Sequence, residues 1–197
     1  MKMSALRGVA ATAFASVAVM TAAPVLAQSM DHSAHAEAAV TVGGAAMYPS
    51  KTIVENAVNS PIHTTLVAAV TAAGLVETLS GPGPFTVFAP TDAAFAKLPA
   101  GTVATLVEPA NKATLTKILT YHVVAGRVTA ADLAAQIAAG GGKAELTTVE
   151  GGTLTASLRG DAVILTDEKG GVATVTQADV LQSNGVIHVT DTVSMPN

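Results

Sequence analysis

Two histidines are the residues best placed to act as a general base or a ligand. His122 and His188 both lie in predicted strand segments with apolar neighbours, and an imidazole there could transfer a proton or bind a metal. The alternative is a structural role, because a half-buried ring needs hydrogen-bond partners, such as backbone atoms or the side chains of Thr91 or Asp92. We favour the structural interpretation for both rings.

No segment has the residue pattern of a common catalytic site. The sequence lacks a Gly-x-Ser-x-Gly turn, a His-Glu-x-x-His helix and a phosphate-binding loop. Gly140-Gly141-Gly142 follows a helical pattern and has no Lys-Ser or Lys-Thr after it. The absence of cysteine excludes disulfides, thiol nucleophiles and thiolate metal sites. We therefore expect that the protein is not an enzyme and holds no cofactor.

A short segment near the N-terminus contains possible copper ligands. Met30, His32 and His35 lie close together, and imidazole suits Cu(II) whereas thioether suits Cu(I). The alternative, which we favour, is a polar linker that happens to contain two histidines. A periplasmic protein that binds copper or a small ligand through this segment is the second functional hypothesis.

Residues 1–27 have the pattern of a signal peptide. Lys2 and Arg7 precede an uncharged apolar run over residues 8–23, and small residues lie just before Gln28. We expect cleavage there, export to the periplasm or the extracellular space, and no membrane span in the mature chain. Residues 28–47 are rich in Ala, Ser and Gly and are predicted to be flexible.

One stretch predicts a buried strand that leads directly into a capped helix. Residues 85–89 are almost continuously apolar, which is typical of a strand buried on both faces. Pro90 cannot donate a hydrogen bond to a sheet, so the strand should end there. Thr91 suits the N-cap of the next helix, and Asp92 places negative charge in its first turn.

Helical periodicity dominates the first part of the domain over residues 48–197, and strand periodicity dominates the second. A series of helices followed by an antiparallel meander with Gly-rich turns indicates an α+β fold. Without an internal repeat, these residues are expected to form one domain. Helices are predicted over 52–59, 63–73, 75–79, 102–107, 112–120 and 130–139, and further strands over 121–124, 145–149, 153–159, 163–166, 172–180 and 186–191.

Three segments resemble the signature boxes of the fasciclin domain family. Residues 86–95 resemble the first box, residues 121–126 the central Tyr-His box, and residues 183–191 the Asn-Gly-Val-Ile-His-Val box, in the family's order. The resemblance extends from about Tyr48 to Pro196. It implies a fasciclin-like twisted β-sandwich or wedge of antiparallel strands, with several short α-helices packed on one side.

The resemblance also implies a secreted, non-enzymatic adhesion or extracellular interaction module. In animal fasciclin-domain matrix proteins, Asp-Ile motifs proposed to engage integrins precede the last box. Asp179, Val180 and Leu181 match that motif here, whereas Gln177 and Ala178 depart from it. An exposed carboxylate can complete the coordination of a receptor-bound divalent cation. Alternatively, Val180 and Leu181 are core residues and Asp179 lies at a strand end or turn.

Tyr121 and His122 are further adhesion candidates, because the family's Tyr-His box has also been credited with adhesion. The partner implied is a protein on a cell surface, either an integrin-like receptor or an envelope or matrix component. Nucleic acid is not expected as a partner, since the chain has a formal net charge of −4, no basic cluster and few aromatic residues. We expect the protein to be a monomer.

Overall fold

The computed structural model of the protein describes residues 39–197. The predicted signal peptide and residues 28–38 of the predicted flexible segment lie outside the described residues. Residues 40–47 form a hairpin of β1 (Val40–Val42) and β2 (Ala45–Met47), in which Val42 and Met47 are buried. The last part of the segment that we predicted to be flexible thus contains a hairpin, which a three-residue strand among Ala and Gly shows too little alternation to reveal.

The helices of the described residues are short, and most lie near their predicted positions. A single 3₁₀ turn, Pro109–Asn111, precedes the sixth helix. The helices are α1 (Ile53–Ala57), α2 (Thr64–Ala73), α3 (Val76–Ser80), α4 (Asp92–Ala96), α5 (Thr102–Leu106), α6 (Lys112–Tyr121) and α7 (Ala130–Ala139).

Local capping interactions explain why several helices begin and end where they do. The Thr129 hydroxyl accepts a hydrogen bond from the Asp132 N–H, and the Asp132 carboxylate accepts one from the Thr129 N–H, which completes the predicted capping box of α7. Thr91 caps α4 by accepting from the Ala94 N–H at 3.2 Å. Gly74 ends α2 in the left-handed conformation, with φ of 74°.

A mixed seven-stranded sheet forms the centre of the fold. The strands are β3 (Phe85–Pro90), β4 (Val123–Ala125), β5 (Lys143–Thr147), β6 (Thr153–Arg159), β7 (Ala162–Thr166), β8 (Val172–Gln182) and β9 (Gly185–Thr190). Their spatial order is β4-β3-β9-β8-β7-β6-β5. All neighbouring strands are antiparallel except β3 and β9, which pair in parallel. The α+β class is therefore confirmed, but the expectation of an antiparallel sheet missed this pair.

The two ends of this sheet approach each other. Just after β5, the Val149 N–H donates to the Val123 carbonyl of β4 at 2.7 Å, and Thr148 forms an isolated bridge with Val124. The sheet is consequently almost closed on itself.

The core lies in two clusters on opposite faces of β3. Val87 and Ala89 belong to the cluster formed with α1, α2, α4 and α6, whereas Phe88 belongs to the cluster formed by β4 to β8 and α7. This arrangement confirms the prediction that β3 is buried on both faces. It also shows that α7 packs on the opposite side of β3 from the other helices, which the prediction of helices on one side did not include.

Candidate functional site

Asp179 lies in a bulge of β8. The register between β8 and β9 shifts on either side of Gln177, and Asp179 has a φ of 56°, a left-handed conformation that aspartate tolerates better than most residues. Its Oδ1 accepts a hydrogen bond from the Ala130 N–H at 2.7 Å. The bulge therefore directs the carboxylate at the N-terminus of α7, where the helix dipole favours negative charge.

The three residues of the predicted Asp-Val-Leu motif do not form one surface. Asp179 is half-buried, and its Oδ2 has no hydrogen-bond partner within residues 39–197. Leu181 is 39% exposed, whereas Val180 is fully buried in the core beside Ile187. Since strand residues alternate between faces, the backbone turns Val180 inward and Leu181 outward. Val180 therefore cannot contact a partner while the protein is folded.

His188 connects the bulge to the segment that precedes α7. Its Nε2–H donates to the Val128 carbonyl at 2.8 Å, and its Nδ1 accepts from the Asp179 N–H at 3.4 Å. The ring is fully buried and stacks on Phe88 with 5.5 Å between ring centroids. Burial lowers the pKa of His188. Since both nitrogens bind the backbone, the neutral ring is part of the fold's support for Asp179.

His122 has a similar role at the end of α6, just before β4. Its Nδ1–H donates to the Ile118 carbonyl at 2.8 Å, and its Nε2 accepts from the Ser194 N–H at 3.0 Å. Burial lowers its pKa as well. Backbone atoms thus replace the Thr91 and Asp92 side chains considered from the sequence, and the carboxylate of Asp92 instead accepts hydrogen bonds at the start of α2.

Tyr121 is fully buried at the end of α6. Its hydroxyl donates to the Thr153 carbonyl at 2.7 Å and accepts from the Glu168 N–H at 3.2 Å. Burial raises the pKa of Tyr121 to about 12. Neither Tyr121 nor His122 presents a side chain to solvent, so these two adhesion candidates cannot form an exposed contact either.

Tyr121→Phe tests this structural role. The substitution removes both hydroxyl hydrogen bonds but keeps the ring, so we expect the free energy of unfolding to fall by about 1–2 kcal/mol, as measured by urea denaturation. Adhesion, measured under conditions in which the variant is fully folded, should not change. A loss of adhesion without a loss of stability would contradict this assignment and restore Tyr121 as a contact residue.

Asn184 has a structural role that the sequence did not indicate. Its Oδ1 accepts from the Ile53 N–H at 3.0 Å, and its Nδ2 donates to the carbonyls of Leu79 at 2.8 Å and Gly81 at 3.0 Å. The side chain therefore joins the β8–β9 turn to the start of α1 and the end of α3. Asn184-Gly185 indicated only a turn, because these partners are far away in the sequence.

Metal binding and membrane insertion have no structural support in the described part of the chain. Met30, His32 and His35 lie outside it. Within residues 39–197, no three His, Asp or Glu side chains cluster as metal ligands do. No helix in that range has the length and apolarity needed to cross a bilayer.

Comparison with known proteins identifies the family. The protein-family model of the fasciclin domain matches residues 61–196. The chain belongs to the fasciclin domain family. This fasciclin-domain chain is also 51% identical over 160 residues to protein sll1483 of Synechocystis sp., covering 81% of the present chain and 82% of that protein.

More distant relatives extend the fasciclin match. Immunogenic protein MPB70 of Mycobacterium bovis is 38% identical over 143 residues, covering 70% of this chain and 65% of that protein. The cell surface glycolipoprotein MPB83 of the same species is 35% identical over 161 residues, covering 79% of this chain and 64% of that protein.

A solved structure supports the fold. The FAS1 domain pair from the insect cell adhesion molecule fasciclin I superposes with a TM-score of 0.65 at 18% identity, covering 79% of this chain and 57% of that one. The predicted fasciclin fold is therefore confirmed.

Proposed function

We propose that this fasciclin domain is an exported, non-enzymatic adhesion module that binds a protein on a cell surface, in the envelope or in a matrix. Cleavage before Gln28 releases it into the periplasm or the extracellular space as a monomer. The names of two relatives support this proposal, since one is a cell surface glycolipoprotein and the other an insect cell adhesion molecule.

The placement of Asp179 is the observation that carries the proposed contact. Its carboxylate lies on a bulge at a half-exposed position, with Oδ1 held by the Ala130 N–H. A single hydrogen bond fixes the direction of the carboxylate, and Oδ2 is left to coordinate a cation. Two residues away, Leu181 offers apolar area that a partner could cover.

In this mechanism Asp179 completes the coordination sphere of a divalent cation that the partner holds. Hard cations such as Ca²⁺ and Mg²⁺ prefer carboxylate oxygens. Burial of Leu181 adds apolar contact beside the ion. His188 keeps the bulge in position through the Asp179 N–H, so the sheet supports the contact without touching the partner.

Asp179→Asn separates the charge of this residue from its role in the fold. Asparagine tolerates the left-handed conformation and can still accept from the Ala130 N–H, so the fold should be retained. Adhesion of bacterial or cultured cells to surfaces coated with the purified protein should weaken about tenfold or more, because a charged contact is lost. The parent should lose adhesion to the same extent when a chelator is added.

Asp161→Asn is the matched control, because it removes the same charge from the exposed turn between β6 and β7. This variant should adhere as the parent does, with the same sensitivity to chelator. If Asp179→Asn adheres as strongly as the parent, the carboxylate does not carry the contact. If adhesion persists in chelator, no bridging cation is involved.

A further inference from the structure

An apolar cavity lies between the first three helices and the sheet. It has a volume of about 140 Å³. Residues of α1, α2, α3, β3 and α6 line it, among them Ile53, Leu66, Val70, Leu79, Val87 and Leu119. These residues are buried, whereas Val58 at the cavity wall is 56% exposed. The cavity therefore reaches towards solvent beside Val58.

The few polar side chains of the wall already have partners. His122 uses both ring nitrogens in hydrogen bonds to the backbone. The Thr71 hydroxyl donates to the Val67 carbonyl at 2.8 Å. A trapped water molecule needs two to four polar partners. Only the Thr71 oxygen can still accept a hydrogen bond, so water in the cavity would lose most of the hydrogen bonds that it makes in bulk solvent.

We propose that this cavity is a binding site for an uncharged hydrocarbon group of about the size of a benzene ring. An engineered cavity of about 150 Å³, lined by the same kinds of side chain, stays dry and binds benzene or xenon. The present cavity has a similar volume and lining. The site uses none of the residues proposed for adhesion, so it constitutes a separate function of the domain.

The chemistry of the wall also defines what the site excludes. A hydroxyl or a charge carried into the cavity would lose its water and could gain at most one hydrogen bond, to the Thr71 oxygen, which costs binding energy. A flat aromatic hydrocarbon or the end of an alkyl chain replaces empty space with dispersion contacts. The ligand class is therefore hydrocarbon, either as a small free molecule or as the terminal part of a longer chain.

Benzene binding tests the proposal directly. We expect benzene to shift the methyl NMR signals of Leu66, Val70 and Leu79 in a saturable manner and to raise the melting temperature. Phenol should bind about tenfold more weakly or worse, because its hydroxyl would exchange several water partners for at most the Thr71 oxygen. Decanol distinguishes a chain end from a small free molecule, because its hydroxyl can stay outside the cavity. If decanol binds as benzene does, the opening admits the end of a chain. If decanol does not bind, the ligand is restricted to small molecules.

Ala57→Leu fills part of the cavity from α1. This variant should lose the benzene-dependent methyl shifts. Ala135→Leu is the matched control, because it adds the same atoms at an exposed position of α7, and it should bind benzene as the parent does. If Ala57→Leu does not fold, Val67→Leu on α2 serves the same purpose. Absence of methyl shifts in the parent at saturating benzene, or equal shifts in the filled variant, would overturn the proposal.

Discussion

Asn184→Ala is expected to lower the free energy of unfolding by about 3 kcal/mol, because buried backbone groups lose their hydrogen-bond partner at roughly 1–3 kcal/mol each. The Ile53 N–H and the Leu79 and Gly81 carbonyls are the groups concerned. Alanine offers neither a donor nor an acceptor to replace the amide. Urea denaturation monitored by circular dichroism gives the measurement.

Asn59→Ala provides the comparison for this substitution. Asn59 also donates to a backbone carbonyl, that of Glu55, but it does so at the surface where water can replace it. Its loss should change the free energy of unfolding by no more than about 0.5 kcal/mol. If Asn184→Ala costs as little as Asn59→Ala, the three hydrogen bonds do not contribute as described.

The second large expected effect is a loss of stability at acidic pH. Burial lowers the pKa of His122 and His188 below the ordinary value of 6.5, and that of His63 shifts in the same direction. Below about pH 6.5 the unfolded chain therefore binds more protons on these groups than the folded protein does. Stability should be constant above that pH and decrease as the pH falls towards the lowered values, with each histidine contributing at most about 1.4 kcal/mol per pH unit.

Urea denaturation at a series of pH values between about 8 and 5 measures this decrease. Carboxylates such as Glu55 and Asp132 have ordinary pKa values of 4.5 and 3.8 that are lowered further in the fold, so their effect begins only at lower pH. His188→Gln should be less stable at neutral pH but lose less stability on acidification. A stability that does not change between about pH 6.5 and 5 would rule out neutral buried histidines.

Local features of the fold were predictable because they depend on neighbouring residues. Thr91 at an N-cap, Thr129 with Asp132 in a capping box and Gly74 at a helix end each follow from contacts within about one helical turn. The parallel pairing of β3 with β9 was not predictable in this way. Strand periodicity shows which faces are buried, but it carries no information on which distant strand lies alongside.

The candidate site was predictable only in part, for a related reason. The sequence identified Asp179 and Leu181 but not the bulge, because a single residue in the left-handed conformation does not change the alternation of apolar and polar residues along a strand. It also grouped Val180 with them, although the backbone turns Val180 into the core. The reason for Gly185 was also hidden in the sequence, where it indicated only a turn. A Cβ at this position would lie 2.0 Å from the Phe85 carbonyl oxygen. The close approach of β3 therefore explains the glycine.

The central position of β9 imposes an order on folding. This strand is the last of those in residues 39–197, but it lies between β3 and β8, and Gly185 pairs with Phe85, which lies 100 residues earlier in the chain. During synthesis, the backbone hydrogen-bonding edges of β3 and β8 that face β9 remain unpaired until residues 185–190 have left the ribosome. Such late, long-range closure is typical of slow folding and exposes edges that chaperones bind. A nascent chain of this domain therefore cannot complete its sheet until nearly all of it has been made.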